Sequence, residues 1–161
     1  PPISSPFIEL NEHRLPGKAF DDRTACNVII QVLKILKNSE PRQTILVNFA
    51  VQEEFGGAGA IVGSRALEPT HALVIENTIA GDVPDTPPRK IITRLGSGPA
   101  ITLADKSVVV PESVVRRLKL AAQSRCIRYQ YKKPVYGGTD AGRIQLTGLG
   151  VPTGVISVPC R

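Results

Sequence analysis

The sequence predicts an α/β fold, a three-layer α/β/α sandwich around a mostly parallel sheet, and three observations support this prediction. Apolar, β-branched runs recur along the chain, as expected for strands buried on both faces. Segments with helical periodicity lie between them. A chain of 161 residues with a hydrophobic fraction of 42% is long enough for one domain with its own core. We therefore expect helices on both faces of one sheet.

The first half of the chain predicts alternating helices and strands. Asp22 is a candidate cap for a helix over residues 23–38, which carries a wide apolar face. A buried strand is predicted next at residues 44–51, followed by a helix at residues 57–67. A second strand, at residues 71–76, ends in an acid, and residues 82–90 are predicted to be a mobile loop because they are rich in turn formers.

The second half continues the alternation. Pro111 opens an amphipathic helix that extends to residue 123. Strands are predicted at residues 91–95, 100–103, 127–131 and 153–159. A glycine-rich turn at residues 136–142 leads into a short helix over residues 141–146.

Charge and composition narrow the classes of partner. The net charge of +6 invites a nucleic-acid interpretation, but the basic residues form only short separated pairs and aromatics make up 4% of the chain. No apolar run approaches the length of a membrane span. We therefore predict binding to neither nucleic acid nor membrane.

The three cysteines are far apart in sequence, which favours reduced thiols in a cytoplasmic protein. The chain contains no methionine, so we expect it to be a fragment of a longer protein.

Acidic residues are predicted to converge on one edge of the sheet. Glu53 and Glu54 follow the first strand and Glu76 ends the second, and the carboxyl ends of parallel strands share one edge. Further acids precede the first helix or lie in adjacent loops, namely Asp21, Asp82 and Asp140. Like charges so close together require a cation or retained protons, and paired metals that activate water are a common solution. Each acid taken alone is equally well explained as an exposed cap or turn residue.

Five motifs occur in order along the chain, KAFDDR at 18–23, VQEE at 51–54, AGDVP at 80–84, GGTDAG at 137–142 and GVPTGVISVPCR at 150–161. Together they resemble the M42 family of metallo-aminopeptidases, also called glutamyl or tetrahedral aminopeptidases and sometimes labelled endoglucanases. The resemblance implies a zinc-peptidase-like fold, peptide substrates and two divalent metal ions, zinc or cobalt.

The resemblance also implies roles for individual carboxylates. Asp21 matches the bridging metal ligand, Glu54 matches a ligand of one metal, and Glu53 matches the general base that takes a proton from the attacking water. Glu76 falls where the family carries an acidic ligand, commonly aspartate. Its distance in sequence from Glu54 suits a return to the same edge of the sheet, which favours it as the ligand over Asp82.

Three residues are weaker candidates for substrate contacts. Asp82 is interpreted as a supporting or substrate-loop residue. Thr139 and Asp140 match a substrate-side loop of the family, although one of them could instead cap the helix that follows.

Two metal-binding histidines of the family have no counterpart here. Neither His13 nor His71 matches their positions, so the full site needs histidines that this chain lacks. We interpret residues 1–161 as part of one catalytic domain, and residues 1–10 as the exit from an inserted dimerisation domain. The resemblance implies a homo-oligomer built from dimers, up to a tetrahedral dodecamer.

Two alternative functions remain open. The first is a non-catalytic paralogue or binding module with the same fold. The second is a glycoside hydrolase that uses paired carboxylates, which the spacing disfavours: glycosidase acids flank a bond from opposite sides, whereas Glu53 and Glu54 are adjacent.

Overall fold

The structure is a computed structural model that describes residues 8–10, 14–133 and 135–161. Its helices are α1 (Phe20–Leu36), α2 (Ala58–Leu67), α3 (Glu112–Ser124) and α4 (Ala141–Ile144), with a 3₁₀ turn at Pro88–Lys90. Its strands are β1 (Ala72–Ile79), β2 (Ala100–Thr102), β3 (Gln130–Lys132) and β4 (Thr153–Cys160). Among the described residues, no helix is both long and apolar enough to cross a membrane.

The strands form one mixed sheet in the order β1-β4-β2-β3. β1 pairs with β4 in parallel along its whole length, and β2 pairs with β3 in parallel. β2 and β4 are antiparallel. The predicted α/β class is confirmed, and the antiparallel contact in the middle makes the sheet mixed.

Helices cover both faces of this sheet. On one face, the side-chain amide of Asn77 in β1 donates a hydrogen bond to the backbone carbonyl of Phe20 in α1. On the same face a Cβ added to Gly154 would lie 2.7 Å from Val114 Cγ1, so this glycine allows α3 to approach β4 closely. Val155 points to the opposite face, because side chains alternate along a strand. It belongs to the main apolar cluster together with Ala141 of α4.

The predicted strand at residues 44–51 is wrong. The structure forms no strand there, and Phe49 retains 47% of its surface and Val51 67%. β1, which lies nearby across a cleft, is at the edge of the described sheet. A strand needs a neighbour for its N–H and C=O groups. The apolar, β-branched composition of this segment gives it a high β propensity, but none of the described strands pairs with it.

The bounds of other elements also differ from the prediction. β1 does not end at Glu76 but continues to Ile79. Residues 91–95 do not form the predicted strand; among them only Thr93 makes an isolated β-bridge, which pairs it with Ala80. The cap of the first helix is confirmed: the Ala25 N–H donates to Asp22 Oδ1 at 3.0 Å. The interpretation of residues 1–10 falls mostly outside the described residues and stays a prediction.

Candidate active site

One cleft brings most of the predicted site residues together. It has a volume of about 1800 Å³ and is bordered by the start of α1, by β1, by the segment before α2 and by the residues around α4. The predicted residues that line it are Asp21, Glu53, Glu54, Glu76, Thr139 and Asp140. The residues predicted from the sequence therefore lie around one cleft, although they come from four separate segments of the chain.

A tight turn presents Glu53 and Glu54 to the cleft. The N–H groups of Gly56 and Gly57 both donate to the Glu53 carbonyl at 3.1 Å. Gly57 then enters α2 with a φ of 73°, a left-handed conformation that glycine adopts without strain. The turn engages the backbone of Glu53 and leaves both carboxylates exposed.

Neighbouring negative charges act on Glu53. Partial burial raises the pKa of its carboxyl, and the charges of Asp140, Glu54, Asp21 and Asp22 raise it further, in that order. These carboxylates are thus close enough to repel one another. Repulsion of this kind strengthens Glu53 as a proton acceptor and makes the cleft attractive to cations.

Glu76 lies deeper, within β1. Ser157 Oγ donates to its Oε1 at 3.0 Å, and Lys132 Nζ is 3.9 Å from the same oxygen. Burial raises the pKa of Glu76 to about 8, although Lys132 and Ser157 oppose the shift. Glu76 therefore keeps its proton at neutral pH even beside the Lys132 ammonium.

Asp21 and Asp22 have different surroundings although they are adjacent. Their backbone torsion angles are not helical, so the regular part of α1 begins after them. Asp21 is exposed, and its charge acts on Glu53. Asp22 is half-buried, and its side chain caps the helix through Ala25. Burial raises the pKa of Asp22.

The substrate candidates Thr139 and Asp140 are both buried at the start of α4. Thr139 Oγ1 accepts a hydrogen bond from the Ala141 N–H at 3.3 Å, which supports the capping role for this residue. Asp140 Oδ1 is buried without a hydrogen-bond partner among the described residues, and burial raises the pKa of this carboxyl. Asp140 therefore does not act as a cap.

Asp82 lies outside the cleft lining. Its Oδ1 accepts a hydrogen bond from Arg161 Nη2 at 2.8 Å, and its Oδ2 accepts one from the Leu95 N–H at 3.1 Å. Burial opposes the shift, but these hydrogen bonds hold the pKa of Asp82 below its usual value. Both oxygens are engaged in fixing the loop, and a substrate contact by Asp82 stays a prediction.

The donor chemistry of the cleft fits a divalent cation, but the ligand set is incomplete. Carboxylate oxygens suit divalent metals, and the mutual repulsion at Glu53 calls for a positive charge. Within the part of the chain that the structure describes, however, no three or more His, Cys, Asp or Glu side chains are grouped closely enough to hold a metal ion. His71 is exposed just before β1, and His13 lies outside the described residues.

Sequence reasoning missed three residues of this region, Asp105, Ser107 and Lys132. Asp105 and Ser107 both lie beside the loop that carries Asp140. The spacing Asp105-Lys106-Ser107 is typical of a turn in which Asp accepts hydrogen bonds from the following backbone, and this signal was available. The pairing of Lys132 with Glu76 had no sequence signal, because a buried lysine in a three-residue strand is exceptional.

Comparison with known proteins identifies similar chains. The family model for M42 glutamyl aminopeptidase matches residues 2–161. A putative aminopeptidase of Acetivibrio thermocellus is 37% identical over 145 residues, which cover 90% of this chain and 43% of that protein.

Two solved structures have the same fold over nearly the whole chain. An aminopeptidase from the archaeon Desulfurococcus kamchatkensis superposes with a TM-score of 0.86 at 35% identity, covering 95% of this chain and 43% of that one. The Pyrococcus horikoshii TET1 peptidase, described as assembling into a tetrahedron or a large octahedral shell, superposes with a TM-score of 0.75 at 27% identity, covering 95% and 44%. This chain therefore spans less than half the length of each of these relatives.

Proposed function

This chain belongs to the M42 glutamyl aminopeptidase family, and from that premise we propose that the intact protein is a metal-dependent aminopeptidase that removes N-terminal residues from peptides. The observation that carries the proposal is the position of Glu53. It lines a cleft in which partial burial, and then the charges of four other carboxylates, raise its pKa. A general base works best when its pKa approaches the working pH, and the charges around Glu53 shift it in that direction.

The carboxylates divide into a base and ligands. Asp21, Glu54 and Glu76 would hold two divalent metal ions, zinc or cobalt, together with histidines supplied from outside residues 1–161. When bound, such ions would polarise the scissile carbonyl and lower the pKa of the attacking water. Glu53 accepts the proton of that water and delivers it to the departing amine nitrogen. Glu76 extends one methylene further than the aspartate common at this position, which supports a shifted metal preference.

The proposed function is tested by peptidase assays on the full-length protein. Purified protein is incubated with aminoacyl p-nitroanilides and with short peptides after chelation, and again after zinc or cobalt is restored. We expect activity only with metal, and release of single residues from the free amino terminus. The same peptides with an acetylated amino terminus serve as the control. Turnover that is unaffected by chelation, or no turnover with either metal, would contradict the proposal.

We also propose that the full-length protein is a homo-oligomer built from dimers, up to a dodecamer. The support is the family membership and the assembly described for the TET1 relative. Native mass spectrometry of the same preparation should give an even multiple of the protomer mass. A monomeric mass over the micromolar range would refute this assembly.

A further inference from the structure

A tight hairpin at residues 103–110 braces the loop at residues 137–140, which we call the 137–140 loop. Ala104 and Val109 form an antiparallel bridge, and the Asp105 N–H donates to the Val108 carbonyl at 2.9 Å. Asp105 is only 6% exposed, and its Oδ1 accepts hydrogen bonds from the N–H and Oγ of Ser107 and from the Val108 N–H, at 2.6, 2.7 and 2.9 Å. Asp105 thus fixes both the backbone and the hydroxyl of Ser107.

Ser107 in turn holds the 137–140 loop. The Thr139 N–H donates to Ser107 Oγ at 3.1 Å, and beside it the Lys106 N–H donates to the Gly137 carbonyl at 2.8 Å. The fit is close, since a Cβ added to Gly142 would lie 2.4 Å from Ser107 Cβ. The loop and the start of α4 therefore rest directly on this serine.

The 137–140 loop in turn contacts the turn that carries the proposed base. Asp140 is 8% exposed, and a Cβ added to Gly57 would lie 2.6 Å from its Oδ1. Gly57 closes that turn through its hydrogen bond to the Glu53 carbonyl. A continuous series of contacts therefore runs from Asp105 through Ser107 and Asp140 to the backbone of Glu53.

We propose that Asp105 and Ser107 are positioning residues, which fix the 137–140 loop so that Asp140 packs against the turn bearing Glu53 and limits its movement at the cleft. The inference rests on the proposed function, because it concerns the same base. A base must be held to within a fraction of an ångström of its productive position. Hydrogen-bond partners that orient metal ligands typically contribute about 10- to 100-fold to activity, and we expect an effect of similar size for groups that position the base.

The test is Ser107→Ala in the full-length protein. The substitution removes the acceptor for the Thr139 N–H and one of the three donors to Asp105 Oδ1, and it adds no volume. We expect kcat to fall by about 10- to 100-fold with KM changed by less than about twofold and metal content unchanged, because the base acts in the transition state. Asp105→Asn keeps one acceptor oxygen for these hydrogen bonds. Its kcat should therefore fall less than that of Ser107→Ala.

Hydrogen exchange measured by mass spectrometry provides a readout independent of activity. Peptides covering residues 137–142 and 52–57 should exchange faster in Ser107→Ala than in the wild type. The matched control is Ser124→Ala, which removes a hydroxyl bonded to the Ala121 carbonyl at the exposed end of α3. This variant should match the wild type in kcat and in exchange of both peptides.

Wild-type kcat in Ser107→Ala, or a loss of kcat that is fully explained by lost metal, would overturn the inference. A wild-type protein with no peptidase activity would instead count against the proposed function. In that case the exchange experiment still decides whether the positioning contacts exist. Faster exchange at residues 52–57 supports them, and unchanged exchange there overturns them.

Discussion

Replacement of Glu53 by glutamine in the full-length protein is expected to lower kcat by about 100- to 10,000-fold and to leave the metal content unchanged, since that is the usual contribution of a general base. Glutamine has nearly the same shape as glutamate but cannot accept the proton of the attacking water. The hydrogen bonds that shape the turn use the backbone carbonyl of Glu53, so its fold should survive the substitution. Turnover is measured with the assay above, and metal content by elemental analysis.

A matched variant separates this effect from a general loss of charge. Glu112→Gln makes the same change in the first turn of α3, at an exposed residue outside the cleft lining. It should retain wild-type kcat and metal content. Glu53→Gln with wild-type turnover would exclude Glu53 as the base. Loss of metal in Glu53→Gln would assign this side chain to the ligands instead.

The helices were predictable from the sequence because amphipathic periodicity is a local signal. The prediction placed the helix after Pro111 within one residue of α3 at each end. The cap of α1 was also predictable, since the Asp22 side chain bonds to a backbone group three residues away. Both signals depend on residues that are neighbours in the chain, and neither needs a tertiary partner.

Strand pairing was less predictable because it depends on distant segments. Residues 44–51 have strand composition, yet they do not pair with any described strand. The prediction that β1 ends at Glu76 was wrong for a related reason. Residues 77–79 continue the strand because they pair with residues 158–160 of β4, and no local pattern reveals that partner.

The acidic residues of the cleft were predictable from their motifs, whereas their electrostatic environment was not. Asp21, Glu53 and Glu54 were selected from the sequence, and they line one cleft. The raised pKa of Glu76 comes from burial opposed by Lys132 and Ser157, which lie on two other strands. The bracing of the 137–140 loop by Ser107 likewise joins segments that are 32 residues apart.

The second large effect is expected at Asp21, which we propose as the carboxylate that bridges the metals. In Asp21→Asn the amide retains the size of the side chain but loses its charge and one anionic oxygen. Side chains that only orient a metal ligand already contribute about 10- to 100-fold to metal affinity. Loss of a bridging ligand should therefore weaken metal binding by more than about 100-fold. Metal content after dialysis and the zinc or cobalt concentration that restores half-maximal turnover measure this loss.

The adjacent aspartate provides the control that makes the experiment specific. Asp22→Asn carries the same loss of charge one residue later, but the Asp22 oxygen accepts a hydrogen bond from the Ala25 N–H, and asparagine caps helices about as well as aspartate. Asp22→Asn should therefore keep its metal and its melting temperature. If both variants lost metal equally, the effect would reflect the total negative charge of the cleft and would argue against a bridging role. If Asp21→Asn bound metal as tightly as the wild type, Asp21 would not be a ligand, and the remaining carboxylates, Glu54 and Glu76, would have to hold the ions.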